Sequence, residues 1–165
     1  MEIRFMTSDD DRREISGIYE QSWKYAYKDI IPQEYLDSIP VGRWANGLDN
    51  TGRYNLVAEE NGRLVGTSCF CGSRWERYKD YGEIVSIYLL PEYVGKGSGK
   101  ILLKRCIDEL KKLGYNKILL WVLEENYRAR RFYEKNGFVC NEEYLNDNIG
   151  GKAVREVMYI YSAAE

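Results

Sequence analysis

The chain has 165 residues, with 24 Lys plus Arg against 26 Asp plus Glu and a net charge of −2. That length fits one ordinary domain, and the charge balance supplies no bulk basic field for gripping nucleic acid. Histidine is absent, which removes Ser-His-Asp triads, Cys-His dyads and the common zinc sites and leaves Glu, Asp, Tyr, Lys or Cys for acid–base work.

Cys69, Cys71, Cys106 and Cys140 form no C-x-x-C pair, so reduced, mostly buried thiols are expected and no metal site. The segment after Met1 turns acidic at Asp9-Asp10-Asp11, without an apolar leader, and no apolar run reaches membrane-spanning length. The expectation is a single cytoplasmic domain over 1–165 with no membrane or nucleic-acid partner.

Glu2–Met6 reads as a short strand. Ser8 to Asp11 reads as a capping box, opening a helix on which Ile15, Ile18, Tyr19, Trp23, Ala26 and Ile30 recur at helical spacing. Pro32 ends that helix and opens a short one through Leu36. Val41–Leu48 reads as a further helical turn. Asn55–Glu60 and Arg63–Arg74 flank Asn61-Gly62, a strong hairpin signal because a type I′ turn needs φ > 0 at both central residues. Trp75–Asp80 is a loop, and Tyr81–Leu90 is a strand ending at Pro91.

Glycines at 95, 97 and 99 precede an amphipathic helix marked by Ile101, Leu102, Cys106, Leu110 and Leu113 and stopped by Gly114. Lys117–Leu123 is an apolar strand. Asn126 caps a helix carrying Ala129, Phe132 and Tyr133, closed by Asn136-Gly137. Phe138–Tyr144 and Ala153–Tyr161 are the last strands. The order β-α-α-β-β-β-α-β-α-β-β predicts an α+β fold with a mixed sheet and helices packed on it.

Two segments carry chemistry. In Val94-Gly95-Lys96-Gly97-Ser98-Gly99-Lys100 a strand runs into glycines that open a helix. Glycines admit a ligand close to the backbone, and free N–H groups at a helix start attract an anion. A phosphate or pyrophosphate is the natural ligand. A P-loop is excluded, because Val94 stands where its first glycine belongs and Ile101 where its Ser or Thr belongs. The dinucleotide fingerprint G-x-G-x-x-G also fails against G-x-G-x-G. The second segment is Asn126-x-x-Ala129-x-x-Phe132-Tyr133-x-x-x-Gly137-Phe138, which by itself also reads as a capped core helix.

Together, in this order, the two segments resemble the GNAT superfamily of acyl-CoA-dependent N-acetyltransferases. The clear resemblance covers Tyr81 to Phe138. Trp23-Lys-Tyr-Ala-Tyr27 followed by Ile31-Pro32-Gln-Glu-Tyr-Leu36 is similar, more loosely, to many bacterial members. The resemblance implies a mostly antiparallel mixed sheet with helices on both faces, acetyl-CoA as donor, an amine acceptor and, commonly, a homodimer. It implies that Val94, Gly95, Lys96, Gly97, Ser98, Gly99 and Lys100 cradle the coenzyme A pyrophosphate. Ile87, Tyr88 and Leu89 would pair their backbone with the pantetheine arm where the fourth strand splays from the fifth. Asn126 and Ala129 would lie on the cofactor side, and Tyr133 near the sulfur as general acid. The family pattern has Gln or Arg where this chain has Val94, so one side-chain donor to the phosphates is missing; Lys96 or Lys100 would compensate.

An ammonium must lose a proton before it attacks a thioester, and without histidine a carboxylate is the obvious acceptor. Glu83, early on the strand leading to the glycine loop, matches the base position of some family members. Its apolar neighbours Ile84 and Val85 suggest burial and a raised pKa; a solvated strand-end carboxylate is the other reading. Trp23, Tyr25, Tyr27 and Trp44 are candidates for the acceptor wall, with Trp23 and Tyr27 foremost, and Asp29, Glu34, Glu142 and Glu143 are acidic residues able to attract an amine. The sequence thus points to an N-acetyltransferase acting on a primary amine by direct attack, with backbone N–H groups near Leu89 polarising the carbonyl. The alternative is a non-catalytic acyl-CoA-binding or sensor domain.

Overall fold

The computed structural model describes residues 1–163. Seven strands, β1 (Glu2–Phe5), β2 (Tyr54–Glu60), β3 (Arg63–Gly72), β4 (Gly82–Leu89), β5 (Lys117–Leu123), β6 (Val139–Ile149) and β7 (Lys152–Ser162), form one sheet in the order β1-β2-β3-β4-β5-β7-β6. Every neighbouring pair is antiparallel except β4 and β5. Four helices cover it: α1 (Arg12–Ala26), α2 (Gln33–Ser38), α3 (Ser98–Lys112) and α4 (Tyr127–Lys135).

The helices divide between the two faces. On one, Ile15, Ile18 and Tyr19 of α1 bury against Val57, Val65 and Leu90, and Leu36 of α2 packs with Leu123 and Val154. On the other, Leu102, Leu103, Cys106 and Leu110 of α3 and Tyr133 of α4 pack on Leu56, Phe70, Ile84 and Tyr159. Strand alternation sends successive side chains to opposite faces, and this supplies both cores from the same strands. The β2–β3 turn is Asn61-Gly62 with φ of 52° and 76°, the left-handed pair expected from the sequence.

Several boundaries differ from expectation. Asp11, not Ser8, caps α1 by accepting from Arg13 N. The residues before it close a separate turn in which Thr7 N donates to Asp10 Oδ2. α1 ends at Ala26 rather than at Pro32 because Asp29 takes a left-handed φ of 67°. Ile30 therefore lies beyond the helix. Val41–Leu48 contains only a 3₁₀ turn, Ala45–Gly47, and Trp75–Asp80 holds another, Glu76–Tyr78. β3 stops at Gly72, so Arg74 leaves the sheet, and β6 runs on to Ile149. Of the cysteines, Cys69, Cys71 and Cys106 are buried, Cys140 is exposed and all four are free. No helix among the described residues is long and apolar enough to cross a membrane.

β3 and β4 approach closely at Gly66, where a Cβ would lie 2.6 Å from Leu89 Cδ2 and 3.2 Å from Tyr88 O. Gly66→Ala is expected to cost about 1–3 kcal/mol of stability and lower Tm by roughly 3–10 °C, checked by thermal denaturation.

Candidate active site

β4 and β5 pair only at Gly82–Ile118 and Glu83–Leu119. Beyond these two positions the strands part, and a cleft of about 850 Å³ opens between them. A bulge in the β3–β4 ladder, where Cys69–Ser86 is followed by Phe70–Ile84, places Val85 as the extra residue at the start of the splay.

The open β4 edge has a defined polarity. Leu90 N donates to Val65 O, so the preceding pair, Leu89–Gly66, is a non-hydrogen-bonded one. The N–H and C=O of Leu89 therefore point away from β3, into the gap, and two residues earlier those of Ile87 do the same. Ser22 Oγ of α1 donates to Leu89 O at 2.6 Å, which leaves the Leu89 N–H as the free group of that residue.

At one end of the cleft lies the glycine loop. Gly95 and Gly97 have φ of 79° and 90°, the second forming the N-cap of α3 without a side chain. The N–H groups of Gly95, Lys96 and Gly97 have no acceptor among the described residues. Those of Ser98 and Gly99 belong to the unpaired first turn of a helix. Five free amides and the positive end of α3 thus lie within one short segment, which suits an oxyanion. Gly95, Gly97, Gly99, Lys100 and Val94 line the cleft, whereas Lys96 and Ser98 sit on the loop outside its wall. Val94 packs against the apolar core and offers no donor. Arg131 and Lys135 of α4, one helical turn apart, also line the cleft, and Phe132 between them packs against Gly99. The sequence reading of this helix rests on its cap and apolar stripe and does not single out these cations.

Asn126 is buried and caps α4, its Oδ1 accepting from Ala129 N at 3.2 Å. Its Nδ2 has no partner among the described residues. Tyr133 lines the same wall, its ring edge-on to Phe132 and Phe138. Burial above all, with the Tyr88 and Cys106 groups adding to it, raises its pKa far above the ordinary phenol value, so the hydroxyl keeps its proton and is a donor.

The other end of the cleft lies on the α1/α2 side. Trp23 and Tyr27 line it with their rings edge-to-face at 4.9 Å. The Trp23 indole donates to the Tyr88 hydroxyl at 3.1 Å. Tyr25 is displaced outward, under Arg128 at 4.7 Å, and Trp44 is stacked on Tyr19; neither reaches the cleft. Asp29, Glu34, Glu142 and Glu143 also lie away from it.

Glu83 lines this end and is 1% exposed, but its surroundings differ from the apolar pocket expected. Arg74 Nη2 donates to its Oε1 at 2.7 Å, and Arg74 Nε and N donate to its Oε2 at 3.2 and 3.0 Å. The apolar residues next to Glu83 in sequence face elsewhere, while the loop after β3 brings a guanidinium onto the carboxylate. A second carboxylate, Glu156 of β7, also lines the cleft, as do Trp75 and Trp121, whose rings are 5.2 Å apart and whose buried Nε1 atoms have no partner. The signal for Glu156 was present in the strand pattern, because it shares a face with Val154 and Met158, both buried.

This geometry has matches among known proteins. Residues 13–138 match the family model described as "Acetyltransferase (GNAT) family". The chain belongs to the GNAT acetyltransferase family. The uncharacterized N-acetyltransferase YuaI of Bacillus subtilis is 29% identical over 152 residues, 90% of this chain and 86% of that one. The spermidine N(1)-acetyltransferase of Thermoplasma acidophilum is 27% identical over 155 residues, covering 90% and 94%. A solved structure of the PaiA N-acetyltransferase of Thermoplasma acidophilum with coenzyme A superposes with a TM-score of 0.75 at 25% identity, over 98% of this chain and 99% of that one. The protein is an acyl-CoA-dependent N-acetyltransferase, and the mixed sheet flanked by helices is that of its GNAT relatives.

Arg74 is the sole side-chain donor to the buried Glu83 carboxylate among the described residues. Arg74→Met is expected to destabilise the fold by about 1–3 kcal/mol, because it leaves a buried acceptor half satisfied. Urea titration measures this, and a change under 0.5 kcal/mol would mean that water satisfies Glu83 equally well.

Proposed function

We propose that the protein transfers an acetyl group from acetyl-CoA to a primary amine of a small molecule or peptide, by direct attack in a ternary complex. The observation that carries this reading is that one cleft passes through the sheet. It joins an amide-rich, cationic end beside α3 and α4 to an aromatic, carboxylate-bearing end beside α1. Donor and acceptor would thus bind on opposite faces of the sheet and meet at the splay.

The residues fit a coenzyme A thioester, which supplies the activated acyl carbon when bound. The amides of Gly95 to Gly99 receive the pyrophosphate, and Lys100, Arg131 and Lys135 supply the positive charge that Val94 lacks. The β4 edge at Ile87 and Leu89 extends the sheet by hydrogen bonding to the amide-containing arm, opposite Asn126 Nδ2 and Ala129. The Leu89 N–H is placed to polarise the acyl carbonyl. Tyr133 gives its proton to the leaving sulfur. One of the two carboxylates at the acceptor end takes the proton of the amine.

Direct attack is favoured over a covalent acyl-enzyme because no cysteine is among the described residues that line the cleft. Burial, moreover, pushes the thiol of Cys69 up to about 11 and that of Cys106 up to about 12, so neither supplies thiolate at neutral pH. The alternative of a non-catalytic acyl-CoA sensor is disfavoured by the N-acetyltransferase names of the relatives.

Acetyl-CoA at 100 times its Kd is expected to stabilise the fold by about 2.7 kcal/mol and raise Tm by roughly 5–10 °C. ATP should not reproduce the shift, and a flat response at millimolar acetyl-CoA would refute the site. Thiol release with spermidine, n-butylamine and L-methionine then ranks the acceptors. Tyr133→Phe should lower kcat about 100-fold with acetyl-CoA affinity kept. Unchanged kcat across the pH range would remove Tyr133 as the acid. Because its pKa is raised, loss of its proton should produce no alkaline fall in wild-type kcat up to about pH 10.

A further inference from the structure

The two carboxylates at the acceptor end are not equivalent. Glu83 has both oxygens engaged by Arg74. Glu156 is half-buried in the cleft wall and has no hydrogen bond and no ion pair among the described residues. Its cross-strand neighbours are Leu123 on β5 and Leu145 on β6, neither of which supplies a donor. Leu123 and Val154, on the same face, pack with α2, which places Glu156 on the acceptor side of the sheet.

We propose that Glu156 is the catalytic residue that receives the acceptor's ammonium and takes its proton, and that Glu83 acts as a positioning residue through Arg74. This rests on the acetyltransferase reading above. An unpartnered carboxylate in a desolvated wall has its lone pairs free for a ligand, and a cation restores the charge balance that burial disturbs. The aromatic rings of Trp23, Tyr27, Trp75 and Trp121 around the same opening suit a cation carried on a hydrocarbon. The charged and titratable groups that act on Glu156 are Asp147 from β6 and Arg74 from the loop after β3, and Glu156 in turn acts on the hydroxyls of Tyr27 from the end of α1 and Tyr88 from β4. Burial first and Asp147 second raise its pKa, and Arg74 opposes them. A raised carboxylate pKa makes a stronger base toward the acceptor's ammonium.

The proton account closes. Glu156 takes one proton from R–NH₃⁺ and passes it to solvent. The nitrogen lone pair forms the C–N bond while the C–S bond breaks. Tyr133 protonates the departing sulfur, and the second nitrogen proton restores the Tyr133 hydroxyl. The products are the amide, the free thiol and one proton.

Glu156→Gln, Glu156→Asp and Glu83→Gln are compared with wild type by thiol release with spermidine, n-butylamine and L-methionine from pH 5 to 10, and by acetyl-CoA titration. Glu156→Gln should lower kcat/KM about 100-fold or more and abolish the acid limb of the pH profile. Acetyl-CoA affinity should stay within twofold and Tm near wild type. Glu156→Asp should recover part of the rate with the limb restored, and Glu83→Gln should retain the limb. A loss below threefold in Glu156→Gln, or an acid limb that disappears in Glu83→Gln instead, would overturn the assignment. Normal acetyl-CoA binding with no wild-type turnover on any of the three amines would overturn the acetyltransferase reading, and this inference with it.

Discussion

The constraint on which the site depends is the failure of β4 and β5 to stay paired. Parallel strands hydrogen-bonded along their length would close the sheet and leave no passage. Here pairing stops after Glu83–Leu119, and the bulge at Val85 turns β4 away from its partner. The cost is a row of unpaired backbone groups on the inner edge of a sheet, which natural proteins ordinarily cover. That edge is tolerable because a ligand with amide groups can take the place of the missing strand. α1 holds the splayed strand in place from one face, with Tyr19 and Ser22 hydrogen-bonded to Ser86 and Leu89. α3 and α4 pack it from the other.

The site is thus divided between two kinds of chemistry by the sheet itself. On the α3/α4 side the cleft combines backbone amides and a helix dipole, which are fixed by φ and ψ, with the side chains of Lys100, Arg131 and Lys135. Val94 itself packs against the apolar core and adds no donor to this group. On the α1/α2 side the cleft is lined by side chains brought from five separate segments: Trp23 and Tyr27, Arg74 and Trp75, Glu83, Trp121, and Glu156. Lys152 ties this rim together, its Nζ donating to Ile30 O at 2.7 Å and to Glu125 Oε2 at 3.1 Å. The turn after α1 is thereby fixed to β7.

These two halves were unequally legible in the sequence. The glycine loop could be read because its requirements are local: Gly95 and Gly97 must adopt left-handed φ, and the helix must begin immediately afterwards. The cap at Asn126 and the Asn61-Gly62 turn are local in the same way. The Glu83–Arg74 pair was not legible, because the sequence neighbours of Glu83 are apolar and its partner arrives from across the β3–β4 ladder. Nor was the full length of β6, whose Asn146-Asp-Asn148 tip reads as loop. It is an edge strand with exposed side chains, paired with β7 by register rather than by burial. Ser8 to Asp11 reads as a capping box, yet Arg4 pairs with Asp10 at 2.8 Å and holds that stretch as a turn.

The central claim is that the β4 edge and the glycine loop together hold a coenzyme A thioester. Amide hydrogen exchange resolved by residue, with and without coenzyme A, tests it most directly. The account predicts that Ile87, Leu89 and Gly95 to Gly99 slow markedly on binding, while Tyr88, already bonded within the sheet, changes little. Unchanged exchange at Leu89 and the loop, with ligand demonstrably bound, would contradict the account and place the ligand elsewhere.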